Sequence, residues 1–447
     1  MISRRVKFLI PFILLTLVGC TALPFQLGNP PGTGTASSEV GIKPTSTALT
    51  AEPSATLKVP ASTGTSTQSL EMNTLRIWLP PEFDPQADNP ASQLLKARLD
   101  QFVLANPDVR LDVRVKAVEG SGGLLDALVA ASAAAPLALP DLVLLPRPLI
   151  ESATLKGLLH PFDQLTSIMD DPGWFEFARQ LALIKDSTYA IPFAGNALAM
   201  VYHPSQIESP PHDLEGVLAT GKVLLFTATD SQALFTLCLY LGMGADLQDG
   251  EGRPALDETA LRNVLEFYQG AGLAGVMPYW LTQYSSDGQV WETFSGENGA
   301  MAVTWAATYL QQESNAPEDL ALAPLPSDNG IPFTLATGWG WTLAGQDPAR
   351  EKITVKLVEF LAEKGFLAQW SQAAGYLPPR SDSLLGWQQV ESKQVIAQIT
   401  SSARLMPAED LISSLGPPIE QAVVDVLKSQ SDPQSAAQAV IAQVNQP

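Results

Sequence analysis

Two tryptophans, Trp339 and Trp341, have the type and spacing to bind a ring-shaped ligand. They flank Gly340, and residues two apart in a strand lie on the same face of the sheet. A rigid indole ring stacks on the apolar C–H face of a pyranose while nearby polar side chains bond the hydroxyls. Gly338 and Gly340 would let a ligand approach the backbone. We therefore expect Trp339 and Trp341 to line a cleft, with core packing as the alternative.

Three further aromatic residues are candidates for a second wall of the cleft. Trp280 and Tyr284 fall in a polar loop, and Trp305 ends an apolar stretch. We predict that all three contact the ligand; surface packing is the alternative for the two loop residues. For Trp78, which lies inside a predicted strand, core packing is favoured.

Polar candidates lie beside or directly after predicted strands, where ligands of open α/β sheets bind. They are Glu82, Asp84, Arg147, Asn196 and Asp230. Carboxylate, amide and guanidinium groups bond hydroxyls well, so we expect these five to contact the ligand, with solvated loop charge as the alternative. Arg380 is expected to order its own loop.

Motifs for metal binding and catalysis are missing from the sequence. No two of the three histidines, His160, His203 and His212, have the spacing of metal ligands. The acidic turn at 246–250 lacks the ligand spacing of a calcium loop. The loop 119–123 contains a serine among glycines but no nucleophile elbow, so we expect it to cap the next helix. We predict no catalytic residue, no metal and no cofactor, which favours a binding role over an enzymatic one.

The order of apolar patterns predicts an α/β fold. A strand at 75–79, a helix around 94–103, a strand at 109–115, a helix around 124–129 and an apolar strand at 142–145 form a βαβαβ series. Such a series implies a largely parallel sheet with helices on both faces. The loops 80–90, 119–123 and 146–150 would then form the ligand-binding edge.

A second set of elements follows from residue 189 onward. Strands are predicted at 197–202, 223–226, 300–304, 334–336 and 340–343, and helices at 231–241, 258–268, 348–363, 366–373, 390–404, 419–427 and 433–444. A chain of 447 residues that is 46% hydrophobic can bury a large core, and two lobes are expected.

The N-terminal segment indicates export. Arg4, Arg5 and Lys7 precede an apolar run at 8–18, which is typical of a signal peptide and too short to span a bilayer. The formal net charge of −20 argues against nucleic acid as a partner, because binding phosphates requires clustered Lys and Arg. Residues 21–72 are rich in Thr, Ser, Pro, Gly and Ala, a composition that predicts a disordered tether.

The end of the signal peptide resembles the lipobox of bacterial lipoproteins. Leu17, Val18 and Gly19 are followed by Cys20. The resemblance implies a signal peptide at 1–19, cleavage before Cys20 and lipidation of its sulfur, with a tether at 20–72. The only other cysteine, Cys238, lies in an apolar stretch and is expected in the core.

From Thr74 to Gln446 the order of motifs resembles the extracellular solute-binding lipoproteins of ABC importers, family 1, in the branch of the maltose-binding and related sugar-binding proteins. The motifs are Pro140 to Leu145, Gly157 to Phe162, Tyr189 to Phe193, Val201 to Pro204 with His203 in place of Asn, Gly242 to Asp257, Phe294 to Met301, Ala323 to Pro326, Gly338 to Trp341 and Gly375 to Arg380. Many members of that family carry a ligand-stacking Trp six residues after the Met of the sixth motif; here Ala307 holds that place.

The resemblance implies a two-lobed periplasmic-binding-protein-like fold in which hinge strands join the lobes around a ligand cleft. Lobe I would comprise 73–191 plus 323–378, and lobe II 192–322 plus 379–447. The implied function is capture of a solute, with a mono- or oligosaccharide expected, by a monomer that delivers it to a membrane permease. The protein would be anchored by lipid on the outer face of the cytoplasmic membrane, at the cell surface or in the periplasm.

Two other functions remain open at this stage. The same fold could bind a non-sugar solute or report to a sensor kinase. A surface enzyme acting on polysaccharide would instead require a carboxylate pair about 5 to 10 Å apart in a cleft.

Overall fold

The computed structural model describes residues 73–445, except 297, 314–318, 346 and 389–391. The predicted signal peptide, Cys20 and tether lie outside these residues. Among the described helices, none is both long and apolar enough to cross a membrane.

The chain begins with the predicted βαβαβ series. Its elements are β1 (Asn73–Leu79), α1 (Pro90–Ala105), β2 (Val109–Val115), α2 (Leu124–Ala134), β3 (Leu142–Pro146) and α3 (Arg147–Leu155). Asn89 caps α1 by accepting a hydrogen bond from the Ser92 amide, and Asn106-Pro107 ends the helix. The strands β2, β1 and β3 are parallel and adjacent in that order, so the parallel prediction is confirmed for this part of the sheet.

Two long strands extend the sheet in the antiparallel sense. The first, β6 (Ile191–Tyr202), follows α4 (Glu176–Ala182) and a short hairpin formed by β4 (Leu183–Ile184) and β5 (Ser187–Thr188). The second, β10 (Thr334–Leu343), comes much later in the chain. β10 pairs with β3 and with the first part of β6, up to Ala197. From Leu198 onward β6 pairs with other strands, so β6 belongs to both halves of the sheet.

The second half of the sheet is built on the later part of β6. Its elements are α5 (Leu214–Ala219), β7 (Leu224–Leu225), α6 (Leu234–Gly242), α7 (Glu258–Leu273), α8 (Asp287–Ser295), β8 (Met301–Trp305), α9 (Ala306–Glu313) and β9 (Ala321–Ala323). β8 and β9 pair antiparallel with β6, and β7 pairs parallel with β8. The complete sheet is therefore mixed, not largely parallel, because β6 runs antiparallel to β8, β9 and β10, and β10 runs antiparallel to β3.

Helices close the chain. They are α10 (Pro348–Leu361), α11 (Lys364–Ala374), α12 (Ser381–Leu385), α13 (Lys393–Ser402), α14 (Glu409–Leu427) and α15 (Pro433–Val444), with the short strand β11 (Ala403–Leu405) between α13 and α14. The predicted helix at 390–404 thus ends in a strand, since 403–405 pairs with β10.

Three predictions about single residues are confirmed by burial and contacts. Trp78 is in the core. Cys238 is also buried, and burial raises the pKa of its thiol to about 12. Arg380 is buried between Asp382 and Asp171, at 2.9 and 2.8 Å from their carboxylate oxygens, so it orders its own loop and a second one.

Candidate solute-binding cleft

An aromatic group forms where β1 ends. The single helical turn at Pro81–Phe83 follows β1 and places the buried Phe83 ring 5.0 Å from Trp339 on β10. Phe83 also stacks on Trp370 and Tyr376, at 5.6 and 5.7 Å between ring centroids. We call these four residues, Phe83, Trp339, Trp370 and Tyr376, the aromatic group. Trp339 and Tyr376 are half-buried, so they are the members of the group that a ligand can reach.

Trp341 lies in the core, not in the cleft. It has no exposed surface, and its ring packs 5.3 Å from Phe193. In the antiparallel pairing Trp339 is opposite Pro146, the last residue of β3, whereas Trp341 is opposite Leu144. Trp341 therefore lies deeper in the sheet, away from the edge where β3 ends. Strand spacing correctly placed the two side chains on one aromatic face, but it does not reveal depth.

The acidic residues after β1 border the aromatic group. Glu82 is exposed, and Asp84 is half-buried and accepts a hydrogen bond from the Gln86 amide at 2.8 Å. Burial, together with the negative charge of Glu82, raises the pKa of Tyr376 to about 12. Glu82 is therefore near Tyr376, and the predicted residues Glu82 and Trp339 belong to one surface.

Asn196 connects the crossing strand β6 to helix α9. Its side-chain oxygen accepts a hydrogen bond from the Ala307 amide at 3.0 Å. Further along α9, the backbone of Gln311 lies directly against Gly375, where an added Cβ would be 2.9 Å from the Gln311 nitrogen. Helix α9 thus contacts β6 at its start and the segment that carries Tyr376 further along.

A pocket of about 200 Å³ opens beside the end of β8. Its walls come from β6, β8, α6, the loop after β7 and the start of α8. They are Leu198, Phe226, Thr227, Asp230, Gln232, Leu234, Phe235, Ser285, Ser286, Asp287, Val303 and Trp305. We call this the acidic pocket. It brings the predicted residues Asp230 and Trp305 together, and Leu198, opposite Trp305 in the sheet, is two residues from Asn196.

Asp287 is the most constrained charged group of the acidic pocket. Its carboxylate accepts hydrogen bonds from the hydroxyls of Thr304 and Thr308, at 2.7 and 3.1 Å. Burial raises its pKa, although these hydrogen bonds and one from the Trp305 amide act in the opposite direction. Desolvation therefore outweighs hydrogen bonding in setting the proton affinity of this group.

Asp230 shapes the start of α6. Its two carboxylate oxygens accept hydrogen bonds from the amides of Gln232 and Leu234, each at 3.0 Å. On the neighbouring helix α14, burial raises the pKa of Glu420 and the charge of Asp230 raises it further. A second carboxylate is therefore close enough to Asp230 to sense its charge.

The predicted aromatic residues Trp280 and Tyr284 contact each other beside this pocket. Their rings meet edge to face at 6.0 Å. The Tyr284 carbonyl accepts a hydrogen bond from the Thr229 amide, which holds the loop next to Asp230, and the following Ser285 lines the pocket. Both rings are half-buried and form part of the wall next to the acidic pocket.

Arg147 has a structural role. One guanidinium nitrogen donates to the carbonyls of Gln180, Leu181 and Leu183, at 2.8 to 2.9 Å, and Nε donates to Glu151 at 2.7 Å. It satisfies carbonyls at the end of α4 and does not join the other predicted site residues. The sequence around Arg147 does not reveal this role, because the three carbonyls are 33 to 36 residues away.

Several site residues escaped sequence reasoning. Asp287 was missed, although Ser286 caps α8 through the Gln289 amide and the Ser-Asp pair is a recognisable helix start. Phe83 lies in the loop 80–90, which the sequence predicts at the ligand-binding edge, and Tyr376 lies in the motif Gly375 to Arg380. Neither residue is itself predicted to bind the ligand. Gln311 gave no signal, because its importance depends on its contact with Gly375.

A family model described as "Bacterial extracellular solute-binding protein" matches residues 97–398, which include strands from both halves of the sheet and most of the site. The chain belongs to this family. The members are binding proteins, in agreement with the prediction of capture without catalysis.

Solved structures show the same two-lobed α/β fold. A MalE sugar-binding protein from Xanthomonas citri matches with a TM-score of 0.69 and 18% identity, over 83% of this chain and 96% of the other. A cyclic α-maltosyl-1,6-maltose-binding protein from Arthrobacter globiformis matches with a TM-score of 0.68 and 17% identity, over 83% and 98%. Maltose-bound MalE3 from T. maritima gives 0.63 and 16%, over 83% and 98%. A search of curated proteins finds no match. The fold prediction is confirmed.

Proposed function

We propose that this protein is the solute-binding component of an ABC importer and captures a saccharide between its two lobes. The observation that carries the proposal is that stacking and hydrogen-bonding side chains lie along and beside one crossing strand, β6. Trp339 lies on β10, which pairs with the first part of β6, and Trp305 lies on β8, which pairs with the later part and lines one pocket with Asp230; Asn196 lies on β6 between these two regions. Aromatic faces with convergent polar groups suit a sugar ring. The similar structures that are named as sugar-binding or maltose-bound support this ligand class.

Capture would proceed by closure of the lobes. Lobe I would comprise 73–191 plus 323–378, and lobe II 192–322 plus 379–447. Strand β6 runs through both halves of the sheet, so small dihedral changes there would rotate one lobe against the other as a rigid body. A ligand that contacts both lobes stabilises the closed form, which would then dock on a membrane permease.

The N-terminal residues would keep the receptor near that permease. Lipidation of Cys20 would anchor a monomer to the outer face of the cytoplasmic membrane, with residues 21–72 as the tether. Two or more acyl chains hold a protein stably at a membrane. A flexible tether of this length spans roughly 40 Å, enough for the lobes to reach the permease in varied orientations.

A thermal-shift screen of the full-length chain tests the ligand class. The panel contains saccharides, amino acids, polyamines and phosphate esters. We expect stabilisation by a saccharide, because a ligand that binds only the folded state raises its stability. A clear shift with another class and none with any saccharide would reject the saccharide proposal.

Closure can be measured separately by fluorescence energy transfer. Leu137 and Leu273 are 88% and 83% exposed and fall in different proposed lobes. With cysteines at both positions and Cys20→Ala, dyes would label these sites, because Cys238 is buried. We expect the transfer efficiency to change on ligand saturation. An unchanged efficiency for a ligand that binds would contradict closure.

The anchor is tested by Cys20→Ala alone. Solute binding in solution should be retained, while uptake at low solute concentration should fall because the receptor is no longer concentrated near the permease. Equal uptake by the unanchored protein would remove the anchor from the mechanism.

A further inference from the structure

The acidic pocket contains carboxylates but no positive side chain. Of the twelve described residues that line it, two are aspartates, Asp230 and Asp287, and none is Lys, Arg or His. Among all the ion pairs of the described residues, none involves Asp230, Asp287 or Glu420. The partners of the two aspartates are hydroxyls and backbone amides, which are neutral donors.

Elsewhere the same chain pairs two carboxylates of low exposure with arginine. Asp141, which is only 4% exposed, is 2.8 Å from Arg350. Glu151 is 2.7 Å from Arg147. The acidic pocket differs from these two sites because the partners of its carboxylates are all neutral donors.

The free-energy penalty of carboxylates without a counter-charge increases when a cleft closes. Closure removes water from the site, and desolvating a charge without a counter-charge is unfavourable. The raised pKa values of Asp287 and Glu420 reflect burial at both groups and, at Glu420, the like charge of Asp230. A neutral ligand leaves this cost in place, whereas a cation offsets it.

An ammonium group fits the remaining chemistry of the acidic pocket. It has three N–H donors for carboxylate oxygens, and the faces of Trp305 and Phe235 in the wall attract a cation. The wall also carries neutral hydrogen-bonding groups at Thr227, Ser285 and Ser286, which an aliphatic diamine could not use along its methylene chain. A ligand that has both hydroxyls and an amine can bond to the neutral groups and to the carboxylates.

We infer that the solute is a saccharide that bears a positively charged amino group, bound with this group between Asp230 and Asp287. The inference rests on the proposed function and specifies its ligand class. The site is the acidic pocket with its aromatic wall. Because no lining residue is cationic, we expect the ligand to supply the positive charge.

Calorimetric titration of the full-length chain with matched sugars tests this inference. The probes are glucosamine, N-acetylglucosamine and glucose, then the β-1,4-linked disaccharides of each, and putrescine as a diamine without a sugar ring. We expect the ammonium-bearing saccharides to bind at least about tenfold more tightly than their neutral counterparts. This advantage should decrease at high salt.

The outcomes separate the inference from the proposed function. Equal or tighter binding of the neutral saccharides overturns the ammonium inference and leaves a saccharide receptor. Binding of putrescine with no saccharide overturns both. Failure of every ammonium-bearing probe to bind overturns the inference.

Two isosteric variants provide an independent test. Asp230→Asn and Asp287→Asn remove the charge and retain a hydrogen-bond acceptor. We expect each to weaken glucosamine binding at least about tenfold more than it weakens glucose binding. Asp108→Asn, on an exposed loop before β2, is the matched control and should change neither. A parallel loss of both sugars would mean that the carboxylates only bind hydroxyls, which overturns the inference.

Discussion

The side-chain oxygen of Asn196 accepts a hydrogen bond from the backbone amide of Ala307, with 3.0 Å between oxygen and nitrogen. Ala307 is the second residue of α9, where amides lack partners within the helix. Asn196 therefore caps this helix from a neighbouring strand. Because Asn196 is only half-buried, its amide nitrogen remains a possible donor to a ligand, while its oxygen fixes the position of α9.

Substitutions at Asn196 should separate capping from ligand contact. Asn196→Ala removes the acceptor, and we expect it to lower the free energy of unfolding by about 1 kcal/mol. Asn196→Asp retains an acceptor at the same place and should restore most of this stability, although it loses the amide donor. Denaturant unfolding measures both. Equal destabilisation by the two variants would show that the Ala307 hydrogen bond is not what Asn196 contributes.

Trp339 and Trp341 should respond oppositely to truncation. Trp339→Ala removes a half-buried ring next to Phe83, and we expect saccharide affinity to fall about tenfold or more with a modest loss of stability. Trp341→Ala leaves a cavity in the core and should cost about 3–5 kcal/mol of unfolding free energy, while the folded fraction binds with nearly unchanged affinity. Titration and denaturant unfolding of both variants check this. Loss of affinity in the Trp341 variant alone would contradict the assignment.

The sequence predicts most of the large elements because their patterns are local. The apolar run of β3 and the alternation in β2 agree closely with the strands Leu142–Pro146 and Val109–Val115. Glycine and proline caused the main errors. Gly338 and Gly340 divided β10 into two predicted strands, and Pro417-Pro418 delayed the predicted start of α14, which begins at Glu409 and includes both prolines. Packing against neighbouring elements overrides these local signals.

The site is less predictable than the fold, because its residues meet through long-range contacts. Asp230 and Trp305 come together in the acidic pocket only after β7 and β8 pair. The type of Arg147 suggested a ligand contact, yet three distant carbonyls occupy one of its nitrogens. A single sequence indicates which groups can bind but not which partners reach them first.

Gly375 should be more sensitive to alanine than Gly157, although both follow helices with positive φ values, 66° and 68°. Gly157→Ala adds a Cβ with nothing within 4 Å and should cost about 1–2 kcal/mol from backbone strain alone. Gly375→Ala brings the same strain plus a clash with the Gln311 backbone. We expect a loss larger by at least about 1 kcal/mol and a changed energy transfer between dyes at 137 and 273. Equal losses of unfolding free energy in the two variants would show that α9 shifts to accommodate the added Cβ at Gly375 without further destabilisation.

Asp287 should make the folded state less stable at neutral pH than its asparagine counterpart. Burial raises its pKa in the folded state, so on lowering the pH the folded protein takes up a proton before the unfolded chain does. The folded state then binds more protons than the unfolded one, and stability rises as the pH falls. Above the folded-state pKa the full penalty of the buried charge is present.

The melting temperature of Asp287→Asn minus that of the wild type should therefore be most positive near pH 7 and decrease as the pH falls toward about 4. Taking this difference at each pH cancels the titration of all other groups, and Asp108→Asn measures the effect of losing an exposed charge. A difference that stays constant with pH, or grows on acidification, would show that hydrogen bonds from Thr304 and Thr308 outweigh burial at this carboxylate.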